Sequence, residues 1–151
     1  MPKSNTLDRK LLPELSVEAV YSQMLAALLR DYGIKHVVLS SGSRHLQMVR
    51  FFEYNDCFTV HKVIDERSAG FYALGLATKL KSPVVLCCTS GTAASNYHTA
   101  VAEAYYQHVP LIVITADRLS CLLNQGEGQM IPQKDIYKDI CLKSISLEVI
   151  D

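Results

Sequence analysis

Residues 83–114 read PVVLCCTSGTAASNYHTAVAEAYYQHVPLIVI, and this stretch decides the fold. The apolar run PVVLCC (83–88) is followed by a polar turn, a helical pattern and a second apolar run, LIVI (111–114). Short β-branched runs that alternate with helices are typical of parallel strands joined by right-handed crossovers. The stretch therefore predicts a strand, a helix from Thr92 to Gln107 and a second strand, with Cys87 and Cys88 as core thiols.

The same alternation of strands and helices extends on both sides of this stretch. It predicts a helix capped by Ser16 and ended by Gly33, a strand over HVVL (36–39), a helix over Arg44–Tyr54, a strand over FTVHKVI (58–64), a helix over Asp65–Leu80 capped by Asp65, a short helix over Ile131–Asp139 and a last strand within LKSISLEVI (142–150). We therefore expect the α/β class, with a doubly wound parallel sheet flanked by helices.

Length and composition limit the classes of function. With 151 residues, of which 49% are hydrophobic, the chain can bury one core as one domain. Fifteen basic residues balance fifteen acidic ones, which disfavours nucleic acid and anionic membranes as partners. The apolar runs are far shorter than the ~20 residues of a membrane helix, and the N-terminal residues resemble no secretory signal. We therefore expect a cytoplasmic protein without membrane insertion, whose five cysteines are reduced and show no metal-ligand spacing.

A polar or glycine-bearing cluster follows each of the first four predicted strands. The clusters are SSGSR (40–44), DER (65–67), TSGT (89–92) and ADR (116–118). Ligands of doubly wound sheets bind beyond the carboxyl ends of the strands, so these clusters predict a site at one edge of the sheet. Neither glycine-bearing loop matches a nucleotide-binding fingerprint, and no serine-hydrolase elbow is present.

Three of these clusters lie at the start of predicted helices and have two interpretations each. The SGS turn could hold an anion through backbone N–H groups with Arg44, or Ser43 could simply cap the next helix. The same alternatives hold for the TSGT turn. Asp65 and Glu66 could both be stabilised by the helix dipole, or one of them could face a dry cleft and exchange a proton near neutrality.

The last cluster and the loop after it also leave alternatives open. Arg118 could pair locally with Asp117 or bind a substrate carboxylate through its two-pronged guanidinium. The loop LLNQGEGQMIPQ (122–133) could be a solvated surface connection, or Gln125, Gln129 and Gln133 could reach a ligand.

Taken in order, five segments resemble a known family. They are GSR (42–44), DERSAGFYALGLA (65–77), TSGTAASN (89–96), TADR (115–118) and the GxGQxIxQ pattern of residues 126–133. Together they resemble the N-terminal pyrimidine-binding domain of thiamine-diphosphate enzymes, and within that superfamily the MenD family of menaquinone-pathway synthases. The resemblance covers almost all of the chain from Ser16 onward. Residues 1–15 are then an N-terminal extension and residues 16–151 the pyrimidine-binding domain.

The resemblance implies roles for individual residues. Glu66 matches the catalytic, cofactor-binding glutamate that hydrogen-bonds N1′ of the cofactor's aminopyrimidine and favours its imino tautomer. Gly91 matches the loop that lies close to the pyrimidine. Ser43 and Arg44 match residues on the isochorismate side, and Arg118 and Gln129 match polar residues that face the substrates.

The family decarboxylates 2-oxoglutarate and adds the product to isochorismate, which implies a transferase with two anionic substrates. It binds the diphosphate and Mg²⁺ through a second domain with a GDG motif, which this sequence lacks, and its site lies between the subunits of a homo-oligomer. The resemblance thus implies that this chain binds only the pyrimidine end and is inactive alone. His45 after GSR and Leu119 after ADR depart from the prolines or small residues usual in the family. Two alternative functions remain: that of another thiamine-diphosphate carboligase, such as an acetohydroxyacid-synthase-like enzyme, and that of a non-catalytic assembly module.

Overall fold

The centre of the molecule is a sheet of four parallel strands. A computed structural model describes residues 17–147. Within them the strands are β1 (His36–Leu39), β2 (Thr59–Lys62), β3 (Val84–Cys88) and β4 (Leu111–Thr115), in the spatial order β2-β1-β3-β4. All three neighbouring pairs are parallel. The predicted α/β class with a parallel sheet is therefore confirmed.

Helices cover both faces of this sheet. They are α1 (Val17–Asp31), α2 (Leu46–Glu53), α3 (Glu66–Leu80), α4 (Thr92–Asn96) and α5 (His98–Tyr106). Apolar side chains of α1 and α2 pack on one face, and those of α3, α4 and α5 pack on the other, so two cores form. None of the helices between residues 17 and 147 has the length and apolarity that crossing a bilayer requires.

Strand β3 forms the middle of both cores. All five of its residues are buried, with Leu86 and Cys88 facing α3 and α5 while Val85 and Cys87 face α1 and α2. Burial raises the pKa of the Cys88 thiol to about 12 and raises that of Cys87 as well. These thiols stay protonated at neutral pH, which confirms the prediction that they belong to the core.

The predicted helix boundaries at Asp65 and Gly33 are confirmed. Asp65 is the N-cap of α3, and its carboxylate accepts a hydrogen bond from the Ser68 N–H at 2.7 Å. Beyond α1, Gly33 has a φ of 73°, and the Ile34 N–H bonds to the Leu29 carbonyl at 2.9 Å. This left-handed ending turns the chain into β1. The predicted cap Ser16 lies outside the described residues.

Three predicted elements differ from the structure. The helix predicted over 92–107 is interrupted at Tyr97, whose N–H bonds to Ala94, three residues back, so that the backbone tightens there. The helix predicted over 131–139 is wrong, because Asp135 has a φ of 60° and only a 3-10 turn, Lys138–Ile140, forms. The last strand is not formed over residues 142–147, where Leu142 is 96% exposed, and residues 148–150 lie outside the described range.

Candidate active site

The strand order places a crevice between β1 and β3. The chain runs from β1 to β2 on one side and then returns to β3 on the other side, so the loops that follow β1 and β3 diverge. A cavity of about 410 Å³ lies at this point. It is lined by Ser41, Gly42, Ser43, Arg44, Glu66, Thr89, Ser90, Thr92, Ala93, Asn96, Arg118 and Gln129. The four clusters that follow the strands thus meet at one cavity.

Five of the six residues singled out from the sequence line this cavity. They are Ser43, Arg44, Glu66, Arg118 and Gln129. The sixth, Gly91, lies between two lining residues, Ser90 and Thr92, but is not itself in the wall. The structure therefore brings together side chains from four loops, while the roles of these six residues stay predictions.

The loop after β1 is not a simple helix cap. Helix α2 begins at Leu46, its N-cap residue is His45, and no side chain caps it. The interpretation of Ser43 as the cap of this helix is therefore wrong, and Ser43 and Arg44 face the cavity instead. Gly42 lies so close to the loop after β3 that a Cβ there would be 2.4 Å from the Thr89 Cβ. Glycine at position 42 therefore allows the loops after β1 and β3 to lie in contact beside the cavity.

The two adjacent acids at the start of α3 have different environments. Asp65 is exposed and caps the helix, and the hydrogen bond from Ser68 lowers the pKa of its carboxyl. The Glu66 carboxylate is half-buried at the cavity and has no hydrogen-bond or ion-pair partner among residues 17–147. Helix capping accounts for Asp65, while Glu66 lies in the first turn of α3, where the helix dipole favours an acid, and its carboxylate is available to a ligand.

Arg118 is held by the loop that follows it. Its side chain is only 10% exposed, its Nη1 pairs with Glu127 Oε2 at 2.5 Å, and its Nη2 donates to the Gly128 carbonyl at 3.1 Å. Within the described part of the chain, Asp117 accepts only the backbone N–H of Arg118, so the predicted local ion pair of these two side chains is wrong. The buried Nε of Arg118 has no partner in the described part of the chain. Both terminal nitrogens of this guanidinium are thus bonded to the loop that follows β4, so a ligand carboxylate would have to compete with Glu127 for them.

The three glutamines of the 122–133 loop lie in three different environments. Gln129 lines the cavity, and its carbonyl accepts the Thr92 N–H at 3.0 Å. Gln125 is exposed and bonds to the Cys121 carbonyl. Gln133 is buried, and its side chain turns away from the cavity to bond to Gly91. The sequence indicated a polar loop but contained no signal that would separate these three environments.

The backbone close to Gly91 belongs to Gln129. Gly91 has φ 78° and ψ −134°, and a Cβ at this position would lie 1.8 Å from the Gln129 carbonyl oxygen. Only glycine fits there, since an L side chain would be both strained and blocked. The glycine thus allows the 122–133 loop to lie on the N-terminus of α4, a packing reason that the sequence did not reveal.

The lining of the cavity contains both basic and acidic side chains. Two guanidinium groups, Arg44 and Arg118, lie with one carboxylate, Glu66, in the lining. Arginines bind carboxylates in a two-pronged geometry, and a half-buried carboxylate can share a proton with a ring nitrogen. Among residues 17–147, no three His, Cys, Asp or Glu side chains converge as metal ligands.

Comparisons with known proteins identify the family of this chain. The profile of the thiamine pyrophosphate enzyme N-terminal TPP binding domain matches residues 20–136. A 2-succinyl-5-enolpyruvyl-6-hydroxy-3-cyclohexene-1-carboxylate synthase of Bacteroides fragilis is 49% identical over 123 residues, which are 82% of this chain and 22% of that protein. Synthases with the same name from Christiangramia forsetii and Listeria monocytogenes are 45% and 46% identical over 83% and 80% of this chain, and 22% and 21% of their own lengths.

The chain thus spans about a fifth of the length of these curated relatives. The profile covers well over half of the chain and includes the loops that follow all four strands. This confirms the superfamily that the five sequence segments indicated. The chain belongs to the family of thiamine pyrophosphate enzyme N-terminal TPP-binding domains.

Proposed function

We propose that this chain is the pyrimidine-binding domain of a 2-succinyl-5-enolpyruvyl-6-hydroxy-3-cyclohexene-1-carboxylate synthase. The whole enzyme would decarboxylate 2-oxoglutarate and add the product to isochorismate in menaquinone biosynthesis. The observation that carries the proposal is the unpartnered Glu66 carboxylate, half-buried in a cavity that also holds Arg44 and Arg118. The names of the relatives support the same activity.

The residues of the cavity fit the pyrimidine end of thiamine diphosphate. Glu66 has no hydrogen-bond or ion-pair partner within residues 17–147, so its carboxyl group could hydrogen-bond a ring nitrogen, N1′ of the aminopyrimidine. The polar loops around it, with Thr89 and Ser90, offer further hydrogen-bonding groups. When bound, the cofactor supplies the carbon nucleophile that allows a 2-oxo acid to lose carbon dioxide.

The diphosphate end needs groups that this chain does not offer. The sequence contains no GDG motif, and residues 17–147 hold no cluster of three acidic, His or Cys side chains. We place the diphosphate and Mg²⁺ in a second domain outside this chain, with residues 1–15 as an N-terminal extension and 16–151 as the pyrimidine-binding domain. The chain alone would then be inactive, and the complete site would form between subunits of a cytoplasmic homo-oligomer.

The other predicted residues would bind the substrates. Ser43 and Arg44, on the loop after β1, would hold isochorismate, and Arg118 and Gln129 would complete the substrate side. Both substrates carry carboxylates, and the two arginines, Arg44 and Arg118, line the cavity. Gly91 would contribute to the cofactor site by holding the loop after β3 in place.

The experiment is a substrate comparison with the full-length protein. The enzyme is supplied with thiamine diphosphate, Mg²⁺ and either 2-oxoglutarate plus isochorismate or pyruvate, and carbon dioxide and product are measured. We expect product from the first pair and little from pyruvate. A preference for pyruvate would instead indicate an acetohydroxyacid-synthase-like carboligase. The absence of any thiamine diphosphate binding would favour the non-catalytic assembly module.

A further inference from the structure

We propose that Gln133 is a positioning residue whose buried side-chain amide ties the loop after β3 to the end of β4 and so fixes the two walls of the cavity. Its effect on cofactor binding rests on the proposed function above, but its effect on the loop does not. From the sequence, Gln133 was one of three glutamines that could reach a ligand. In the structure its side chain instead bonds to the backbone of Gly91 and Ala116.

The contacts of Gln133 join segments that are distant in sequence. The side chain is 8% exposed, and its Oε1 accepts the Gly91 N–H at 2.5 Å. Its Nε2 donates to the Ala116 carbonyl at 2.8 Å and to Thr115 Oγ1 at 3.3 Å. One side chain therefore links the N-terminus of α4 to the last residue of β4 and the residue after it.

The linked segments lead directly to the cavity. Gly91 lies between Ser90 and Thr92, which line one wall, and Ala116 lies two residues before Arg118, which lines another. Gln133 itself does not line the cavity. A shift of either segment would move the side chains that face a ligand, so Gln133 acts through its neighbours.

The start of helix α4 explains why an amide is needed. The N-cap, Gly91, has no side chain, so the first N–H groups of α4 must find acceptors elsewhere. Gln133 Oε1 accepts from Gly91 and the Gln129 carbonyl accepts from Thr92. The Ala116 carbonyl, however, needs a donor. A neutral side chain that accepts at one atom and donates at the other meets both needs, which is what an amide provides.

Two substitutions separate the hydrogen bonds from the packing. Gln133→Met keeps the length of the side chain but has no donor and only a weak acceptor, the thioether sulfur. Gln133→Glu restores both functions only when its carboxyl is protonated, because the acid form has an acceptor oxygen and a donor O–H. Gln125→Met is the matched control, since it removes an exposed amide from the same loop.

The first measurement is amide hydrogen exchange on the 151-residue chain. We expect Gln133→Met to accelerate exchange at Gly91 and Thr92 by about tenfold or more, while Val37 and Val38 in β1 keep their protection. Protection retained at Val37 and Val38 also shows that the variant folds. Exchange at Gly91 and Thr92 that matches the Gln125→Met control would overturn the proposal.

The second measurement is thiamine diphosphate binding to the full-length protein. We expect Gln133→Met to weaken binding by about tenfold at every pH. Gln133→Glu should bind weakly at about pH 8 and approach the unsubstituted protein at about pH 6, because burial raises the pKa of a carboxyl. Equal binding by both variants and the unsubstituted protein at every pH would overturn the role in the site. If the unsubstituted protein binds no cofactor, the proposed function fails, and hydrogen exchange still decides the role of Gln133 in the loop.

Discussion

Replacing Gly91 by Ala tests how the 122–133 loop is held on the N-terminus of α4. Gly91 has a φ of 78°, and its missing Cβ leaves the space that the Gln129 carbonyl oxygen occupies. An added methyl group would lie 1.8 Å from that oxygen, far inside any allowed contact. Because the obstructing atom is backbone, the whole segment around Gln129 has to move.

The cost has two parts. A non-glycine residue in this backbone region costs of order 1–3 kcal/mol. Displacing the loop also breaks the hydrogen bonds from the Gly91 and Thr92 N–H groups to Gln133 and Gln129, each worth about 0.5–1.5 kcal/mol. Together these terms predict a loss of about 2–6 kcal/mol in the free energy of unfolding, which is a large part of the stability of a typical domain.

Urea denaturation of the 151-residue chain measures this loss, with Gly126→Ala as the matched control. Gly126 has a similar φ of 75°, but a Cβ there would meet no atom of residues 17–147 within 4 Å. We expect the control to lose only about 1 kcal/mol through its backbone conformation. If Gly91→Ala costs no more than Gly126→Ala, the contact with Gln129 contributes nothing and the reasoning is refuted.

Two further predictions concern charged groups beside the cavity. Burial lowers the pKa of His45 from its ordinary 6.5, so the unfolded chain takes up a proton first as pH falls, and stability decreases from about pH 6.5 downward. His45→Leu should therefore reduce the fall of the melting temperature with pH below about 6.5, whereas the exposed control His108→Asn should not. The same fall in melting temperature in His45→Leu as in the unsubstituted protein would contradict this. Glu127→Gln removes the ion pair that holds the Arg118 guanidinium, and it should lower the KM of the full-length enzyme for its carboxylate substrate by up to about fivefold. An unchanged or higher KM would show that Glu127 does not compete with the substrate for Arg118.

The sheet and its site edge could be predicted because local patterns determine them. The run PVVLCC is apolar throughout, as a strand with helices on both faces requires, and β3 is buried at every residue. Asp65 directly precedes α3, whose first backbone N–H groups need acceptors, so its carboxylate was expected to cap this helix. In a parallel sheet the residues after successive strands fall on one edge, which brought Glu66 and Arg118 to the same cavity.

Other features depended on contacts between distant residues. Tyr97 is fully buried and its hydroxyl lies 3.4 Å from Ser40 Oγ, a contact across 57 residues that no helical pattern contains. The predicted helix after residue 130 failed because Gln129 and Asp135 have positive φ values that let the loop fold back on the sheet. The bonds from Gln133 to Gly91 belong to the same long-range packing, so local sequence could not reveal them.

The central claim is that the Glu66 carboxylate assists proton transfer from the bound cofactor. Its most direct test is the rate of hydrogen–deuterium exchange at C2 of thiamine diphosphate bound to the full-length protein, compared with Glu66→Gln and with Asp65→Asn. Asparagine caps a helix as well as aspartate does, so Asp65→Asn removes the neighbouring charge alone. We predict that Glu66→Gln slows the exchange by about 10²–10⁴-fold and that Asp65→Asn leaves it nearly unchanged. A Glu66→Gln protein that binds the cofactor and exchanges at the unsubstituted rate would contradict the account.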